Sequence, residues 1–163
     1  MRGKATALIL AIALLLSSTM TSCRQGVIID EVVAFPNVGW NSDSLAVFRA
    51  DIVDASKSYD MWIQVRNDNN YSYANLWLFV DVISAKTSMM VRDTIECQLA
   101  HPDGEWIGGG WGSLYTLECP YKLKVKFAND GRYTFRVSHG MRDTDIKGIK
   151  SLGLRIEESN GEE

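Results

Sequence analysis

Residues 121–127 read YKLKVKF, in which Tyr121, Leu123, Val125 and Phe127 alternate with Lys122, Lys124 and Lys126. A period of two puts all the apolar side chains on one face of a strand and the ammonium groups on the other. Residues 132–139, RYTFRVSH, repeat the pattern, with Tyr133, Phe135 and Val137 inward and Arg132, Thr134 and Arg136 outward. Asn129-Asp130-Gly131 between the two tolerates positive φ, so the two strands are expected to pair as a hairpin.

The same period extends in both directions. Residues 44–54 carry Phe48, Ala50 and Ile52 on one phase, and residues 59–66 carry Met61, Ile63 and Val65. Residues 76–83, LWLFVDVI, are apolar on both phases except at Asp81, which predicts a central strand covered on both sides. Residues 89–99 alternate again and residues 152–156 supply a last strand. Only 141–150, MRDTDIKGIK, lacks a strand pattern and is expected to hold a helical turn or a long connection. Turn residues recur about every ten positions, and there is no internal repeat, low-complexity tract or internal boundary. The expectation is a single all-β domain of about eight antiparallel strands, a β-sandwich or jelly roll, with a solvated, disordered tail SNGEE.

The N-terminus carries a different signal. Arg2 and Lys4 precede an apolar run from Ala5 to Leu16, followed by small polar residues. Charge, apolar core and small-residue tail are those of a secretory signal peptide, and the run is shorter than the about 20 residues a permanent span needs. The stretch Met20-Thr21-Ser22-Cys23 resembles a bacterial lipobox, with Met20 where leucine is usual. Residues 1–22 are therefore expected to be removed and Cys23 lipidated, leaving 23–163 held to a membrane by acyl chains. Arg24 rather than Asp follows Cys23, which favours the outer membrane over retention at the inner one.

With Arg2 and Lys4 taken from the 17 cationic side chains, 15 remain against 20 anionic ones. An acidic chain without a basic cluster is not a nucleic-acid binder. Cys97 and Cys119 remain in a compartment that permits disulfides. A bridge between them would close a loop across the intervening segment and stabilise it by roughly 3 kcal/mol. The alternative is two buried thiols, since Cys97 falls on the apolar phase of its strand, and both readings stay open.

The segment crossed by that loop, HPDGEWIGGGWGSLY at 101–115, gathers a histidine, two carboxylates and two tryptophans around glycines. A phosphate loop would need a following lysine and helix, and neither is there. Pro102-Asp103-Gly104-Glu105 is turn chemistry, and Gly108, Gly109 and Gly110 read as a bulge or a close backbone approach. Asp103 and Glu105, two apart in a turn, give no control over the separation a glycosidase pair requires. His101 and His139 offer no metal set or triad, and His139 reads as a surface or edge residue. No catalytic residue, metal or cofactor is expected. The segment is read as a structural connection with Trp106 and Trp111 as its candidate interface residues; the alternative, suggested by five tryptophans on such a scaffold, is a glycan platform with the same two rings. Trp62 and Trp77, on strands, are expected to be buried. The turn NDNNYSYAN, with Tyr71 and Tyr73, is a second candidate interface, the alternative being that Asn67, Asn69 and Asn70 satisfy the turn backbone while Tyr71 and Tyr73 cap the core.

Residues 66–79, RNDNNYSYANLWLF, resemble the signature segment of the gliding-motility lipoprotein GldH family. FPNVGWNSDS, DTIECQLAHPDGEWIGGGWG, GRYTFRVSHGMR and GIKSLGLRIEE fit the same family in order and spacing, covering most of the chain after Cys23. The resemblance implies a lipoprotein of the Bacteroidota cell envelope, associated in gliding members with motility and the coupled protein secretion. It implies envelope protein partners and transfers no enzymatic residue.

Overall fold

The computed structural model describes residues 26–159, so the expected signal peptide 1–22, the lipidation site Cys23 and all but Ser159 of the SNGEE tail lie outside the described residues. Eleven strands follow in chain order: β1 (Val27–Ala34), β2 (Trp40–Asn41), β3 (Ala46–Ile52), β4 (Tyr59–Asp68), β5 (Asn75–Ser84) and β6 (Met90–Gln98), then β7 (Gly109–Trp111), β8 (Leu114–Val125), β9 (Gly131–His139), β10 (Asp145–Ile146) and β11 (Ile149–Glu158). They form a five-stranded sheet in the order β1-β11-β4-β8-β7, a four-stranded sheet β3-β9-β5-β6 and a two-stranded ribbon β10-β2. Every pairing is antiparallel. The number exceeds the expected eight because β2, β7 and β10, only two or three residues long, sit in segments too short to show a period.

Alternation explains the layers. On β4 the buried apolar residues are Tyr59, Met61, Ile63 and Val65, and on β11 Ile149, Leu152, Leu154 and Ile156. From the four-stranded sheet, β3 contributes Phe48 and Ile52, β5 Leu76, Leu78 and Val80, and β9 Tyr133, Phe135 and Val137. These inward faces join in one apolar core between the two larger sheets.

Four expectations fail instructively. The predicted hairpin of β8 with β9 does not form: β8 pairs with β4 and β7, while β9 pairs with β3 and β5. Asn129-Asp130-Gly131 instead carries the chain from one sheet to the other, with Gly131 at φ 127°, Asp130 Oδ1 accepting from Ala55 N at 2.6 Å, and Tyr133 Oη donating to Asn129 O at 2.9 Å. Alternation identifies a strand's buried face; it does not identify its neighbour.

Leu123 is the second. It is 54% exposed, although its phase places it inward. Against β4 the register runs Tyr59 to Val125, Met61 to Lys122 and Trp62 to Pro120, so β8 carries an extra residue at each of two successive steps. Such bulges turn side chains over. Lys124 takes φ 53° there, and its N–H donates to Asp60 Oδ1 at 2.6 Å.

Third, β5 is central in its sheet but covered on one face only. Trp77 and Phe79, on its outer phase, remain partly exposed, contrary to the expected burial of Trp77. The segment 141–150 holds neither a helical turn nor one long loop: β10 lies within it and pairs Asp145 with Asn41 and Ile146 with Trp40.

Candidate functional site

The two loops singled out in the sequence meet. The turn between β4 and β5 is built on Asp68, whose carboxylate accepts from Asn70 N at 2.9 Å, from Asn70 Nδ2 at 3.1 Å and from Lys150 Nζ at 2.9 Å. Burial works to raise the Asp68 carboxyl, but the Lys150 ammonium and the Asn70 donors outweigh it and hold it below its ordinary value. Gly148, at φ 85°, passes so close that a Cβ there would lie 2.2 Å from Tyr71 N, and its carbonyl accepts from Asp68 N at 2.8 Å. Asn69 Oδ1 accepts from Trp106 Nε1 at 3.1 Å, bringing HPDGEW against NDNNYSYAN.

The four interface candidates have different fates. Tyr71 is buried in the core, donating to Asn75 O at 2.7 Å, and burial pushes its phenol well above the ordinary value. Tyr73 stands at the surface edge-on to Tyr71, with ring centroids 5.7 Å apart, and donates to Asp143 Oδ2 at 2.5 Å. Trp106 is half-buried and lies against Tyr115, centroid to centroid 5.7 Å. Trp111 is 94% exposed. Trp106 and Trp111 make no ring contact with each other among the described residues, so they do not form one stacked platform.

Trp111 is presented on purpose-built backbone. It ends β7, which pairs with β8 through Gly109 to Thr116, Gly110 to Tyr115 and Trp111 to Leu114. A Cβ on Gly110 would fall 1.8 Å from Leu114 O, and one on Gly108 2.8 Å from Thr116, so the close-approach reading of the glycine run holds at both positions. Gly112, at φ 66°, completes the reversal. Asp68 pairs with Leu114, so this tip stands at the same end of the sheet as the β4–β5 turn.

A further surface went unrecognised. Met141 Sδ accepts from Trp77 N at 3.4 Å, and the Phe79 ring packs over Gly140, where a Cβ would lie 2.9 Å from Cε2. Trp77, Gly140 and Met141, with Tyr73 and Arg142, line a depression on the outer face of the four-stranded sheet. Its signal in the sequence is the apolar run at 76–80, which is equally compatible with a strand covered on both faces. Trp62, by contrast, is partly covered on the outer face of the other sheet by the Arg155 guanidinium, 5.4 Å from its ring.

His139 is 3% exposed, not a surface residue. Its ring stands edge-on to Trp40 at 5.2 Å, and neither ring nitrogen has a hydrogen-bond partner among the described residues. Burial lowers its pKa from the ordinary 6.5, against the backbone at Thr144 and Trp40, which favours the charged form. Cys97 on β6 and Cys119 on β8 are buried free thiols in neighbouring positions of opposite sheets. The Cys119 sulfur beside it, together with burial, holds the Cys97 thiol far above its ordinary value. Among the described residues no group of three or more His, Cys, Asp or Glu side chains is placed to hold a metal.

These features belong to a class of bacterial lipoproteins. Residues 27–156 match the family model of the GldH lipoprotein, and the chain belongs to that family. A gliding motility lipoprotein GldH homolog of Christiangramia forsetii is 35% identical over 147 residues, 86% of this chain and 89% of the relative. The gliding motility lipoprotein GldH of Flavobacterium johnsoniae is 31% identical over 169 residues, 98% of this chain and 100% of that one. Among solved structures, a carbohydrate-binding module specific for non-crystalline cellulose has a TM-score of 0.45 at 9% identity over 80% of this chain and 75% of that one, a likeness too loose to carry function.

Proposed function

We propose that this chain is a non-enzymatic lipoprotein of the outer membrane that supports gliding motility, or the secretion coupled to it, by binding other envelope proteins. Residues 1–22 are its signal peptide, Cys23 carries the acyl chains, and residues 23–163 make one β-sandwich domain. The eight long strands, numbered among themselves, run 1-8-3-6 in one sheet and 2-7-4-5 in the other, which supports a jelly roll.

The observation that carries the reading is Trp111. An indole left 94% exposed on a hairpin where Gly108 and Gly110 leave no room for a side chain is a costly arrangement for a residue with no partner. Aromatic rings of this kind are enriched where interfaces form. Trp111 also stands at the end of the five-stranded sheet opposite to the start of β1, since Val27 lies level with Glu157 and Asp60, while Leu114 lies level with Asp68. Along β4 those levels are about 26 Å apart. A chain anchored at Cys23 thus presents Trp111, Trp106 and Tyr73 away from the membrane.

The test is a Trp111→Ser strain of the source organism, scored for colony spreading and for secreted protein. The reading expects both reduced at an unchanged level of the lipoprotein, and a strain that spreads and secretes normally would overturn it.

A further inference from the structure

At the end where β1 begins, the two sheets part. Higher up, the gap between the edge strands β6 and β8 is closed by the neighbouring thiols of Cys97 and Cys119, and then by Asp93, which accepts from Tyr121 Oη at 2.6 Å and pairs with Lys122 Nζ at 2.7 Å. Below Asp93 the closure stops. The two bulges of β8 turn Leu123 outward, so the position between Tyr121 and Val125 adds no apolar side chain to the interior. A cavity of about 300 Å³ remains, walled by Met61, Val82, Val125, Phe127, Tyr133 and Phe135.

Two polar groups mark it as more than a packing defect. Ser84, at the end of β5, lines the cavity and is 7% exposed, yet its Oγ has no hydrogen-bond partner among the described residues. Buried hydroxyls are normally paired. Lys126 also lines the cavity, at its rim, with no ion-pair partner among the described residues, whereas Lys122 beside it is engaged by Asp93.

We propose that this cavity binds one acyl chain, with the anionic oxygen head of the amphiphile held at the mouth by Lys126. Thr87, Asp93, Lys122 and Asn129 also line the cavity, but most of its surface is hydrocarbon and aromatic, so a sugar would leave most of its hydroxyls unpaired against the walls. The volume lies at the small end of the about 300–1,000 Å³ of small-molecule sites, enough for a single chain and not for a bulky ring system. Position agrees with the chemistry. The cavity is at the level of Val125 and Tyr59, the end of the sheet at which Val27 starts. Three residues lie between Cys23 and Val27, so the four steps from one to the other reach at most about 14 Å. With Cys23 lipidated, the mouth lies beside the bilayer; this orientation rests on the lipoprotein reading above, while the site rests on the cavity itself.

The test uses the full chain in isolated cell envelopes and two photoreactive probes, a long-chain fatty acid with a diazirine in its chain and a phosphatidylglycerol carrying the same chain. After irradiation, adducts are mapped by peptide mass spectrometry. Adducts are expected on Met61 or Phe135, which the bulk bilayer cannot reach, and the probe that places them there distinguishes a free fatty acid from one chain of a membrane lipid. Val82→Trp, which fills the cavity, is expected to lower interior labelling by about an order of magnitude. Lys126→Glu, at the rim, is expected to lower it several-fold without unfolding the chain. Adducts confined to exposed residues such as Leu123 and Val53, or absent altogether, would overturn the proposal. So would interior labelling equal in wild type and a folded Val82→Trp chain. If circular dichroism shows that Val82→Trp does not fold, labelling unaltered in Lys126→Glu has the same force. None of these readouts involves motility or a protein partner, so this site and the distal interface succeed or fail separately.

Discussion

Trp106 Nε1 donates to Asn69 Oδ1 at 3.1 Å, a bond across 37 positions of sequence that ties the glycine-rich segment to the turn between β4 and β5. Two loops that read as separate candidates thereby become one surface, with Trp111 rising beside it. The bond is a neutral, partly solvated one. Asn69→Ala should cost about 1 kcal/mol in a urea melt. Trp111→Ser, which removes no packed contact, should leave the midpoint unchanged. An equal loss from both would show that Trp111 is structural.

The hairpin that presents Trp111 depends on backbone approach. Gly110→Ala places a methyl group 1.8 Å from Leu114 O, so the strands must separate. Overpacking of this kind costs about 1–3 kcal/mol. Hydrogen exchange should show the amides of Gly109 and Trp111 losing protection while those of β9 keep theirs. Unchanged protection in β7 would contradict the close pairing.

Cys97 and Cys119 join the edges of opposite sheets, and mild oxidation should couple them within one molecule. The bridge encloses the whole segment between β6 and β8, so the oxidised chain should be more stable than the reduced one by about 3 kcal/mol. Mass spectrometry without reductant, followed by melts of both forms, checks this. Thiols that stay fully alkylatable after oxidation would show that the two sulfurs do not meet.

His139 makes stability depend on pH. Burial depresses its folded pKa below 6.5, so the unfolded chain takes up a proton at a higher pH than the native one does. Its contribution is complete above about 6.5 and is lost as pH falls toward and through the lowered folded value. Melts between neutral and mildly acidic pH should therefore show stability declining before the carboxylates titrate, and His139→Gln should flatten that decline. A slope identical in both chains would remove His139 as its cause.

Much of the fold is legible in the chain. Period-two patterning locates the long strands because each has one face in the core, and the buried sets of β3, β4 and β9 follow it residue by residue. Pairing is not legible there, because any strand with an apolar face satisfies the pattern with any neighbour; β8 and β9, adjacent in sequence, lie in different sheets. Bulges are equally silent. Nothing in YKLKVKF distinguishes Leu123 from Tyr121, and only the register against β4 turns it out. Of the candidate interface, Trp111 and Tyr73 lie at the surface, while Tyr71 serves the core. Burial also took His139, whose polarity had suggested a surface position. Trp77 and Phe79 erred the other way, because an apolar run looks the same whether its outer face is covered by protein or left open.

As proposed, the chain meets envelope proteins through the end distant from its anchor. The most direct measurement replaces Trp111 with a photocrosslinking amino acid in the full chain in growing cells, and Leu123, at the opposite end, in a second strain. The account predicts discrete protein adducts from position 111, identifiable by mass spectrometry, and none of the same adducts from position 123. No protein adduct from 111, or identical adducts from both ends, would contradict it.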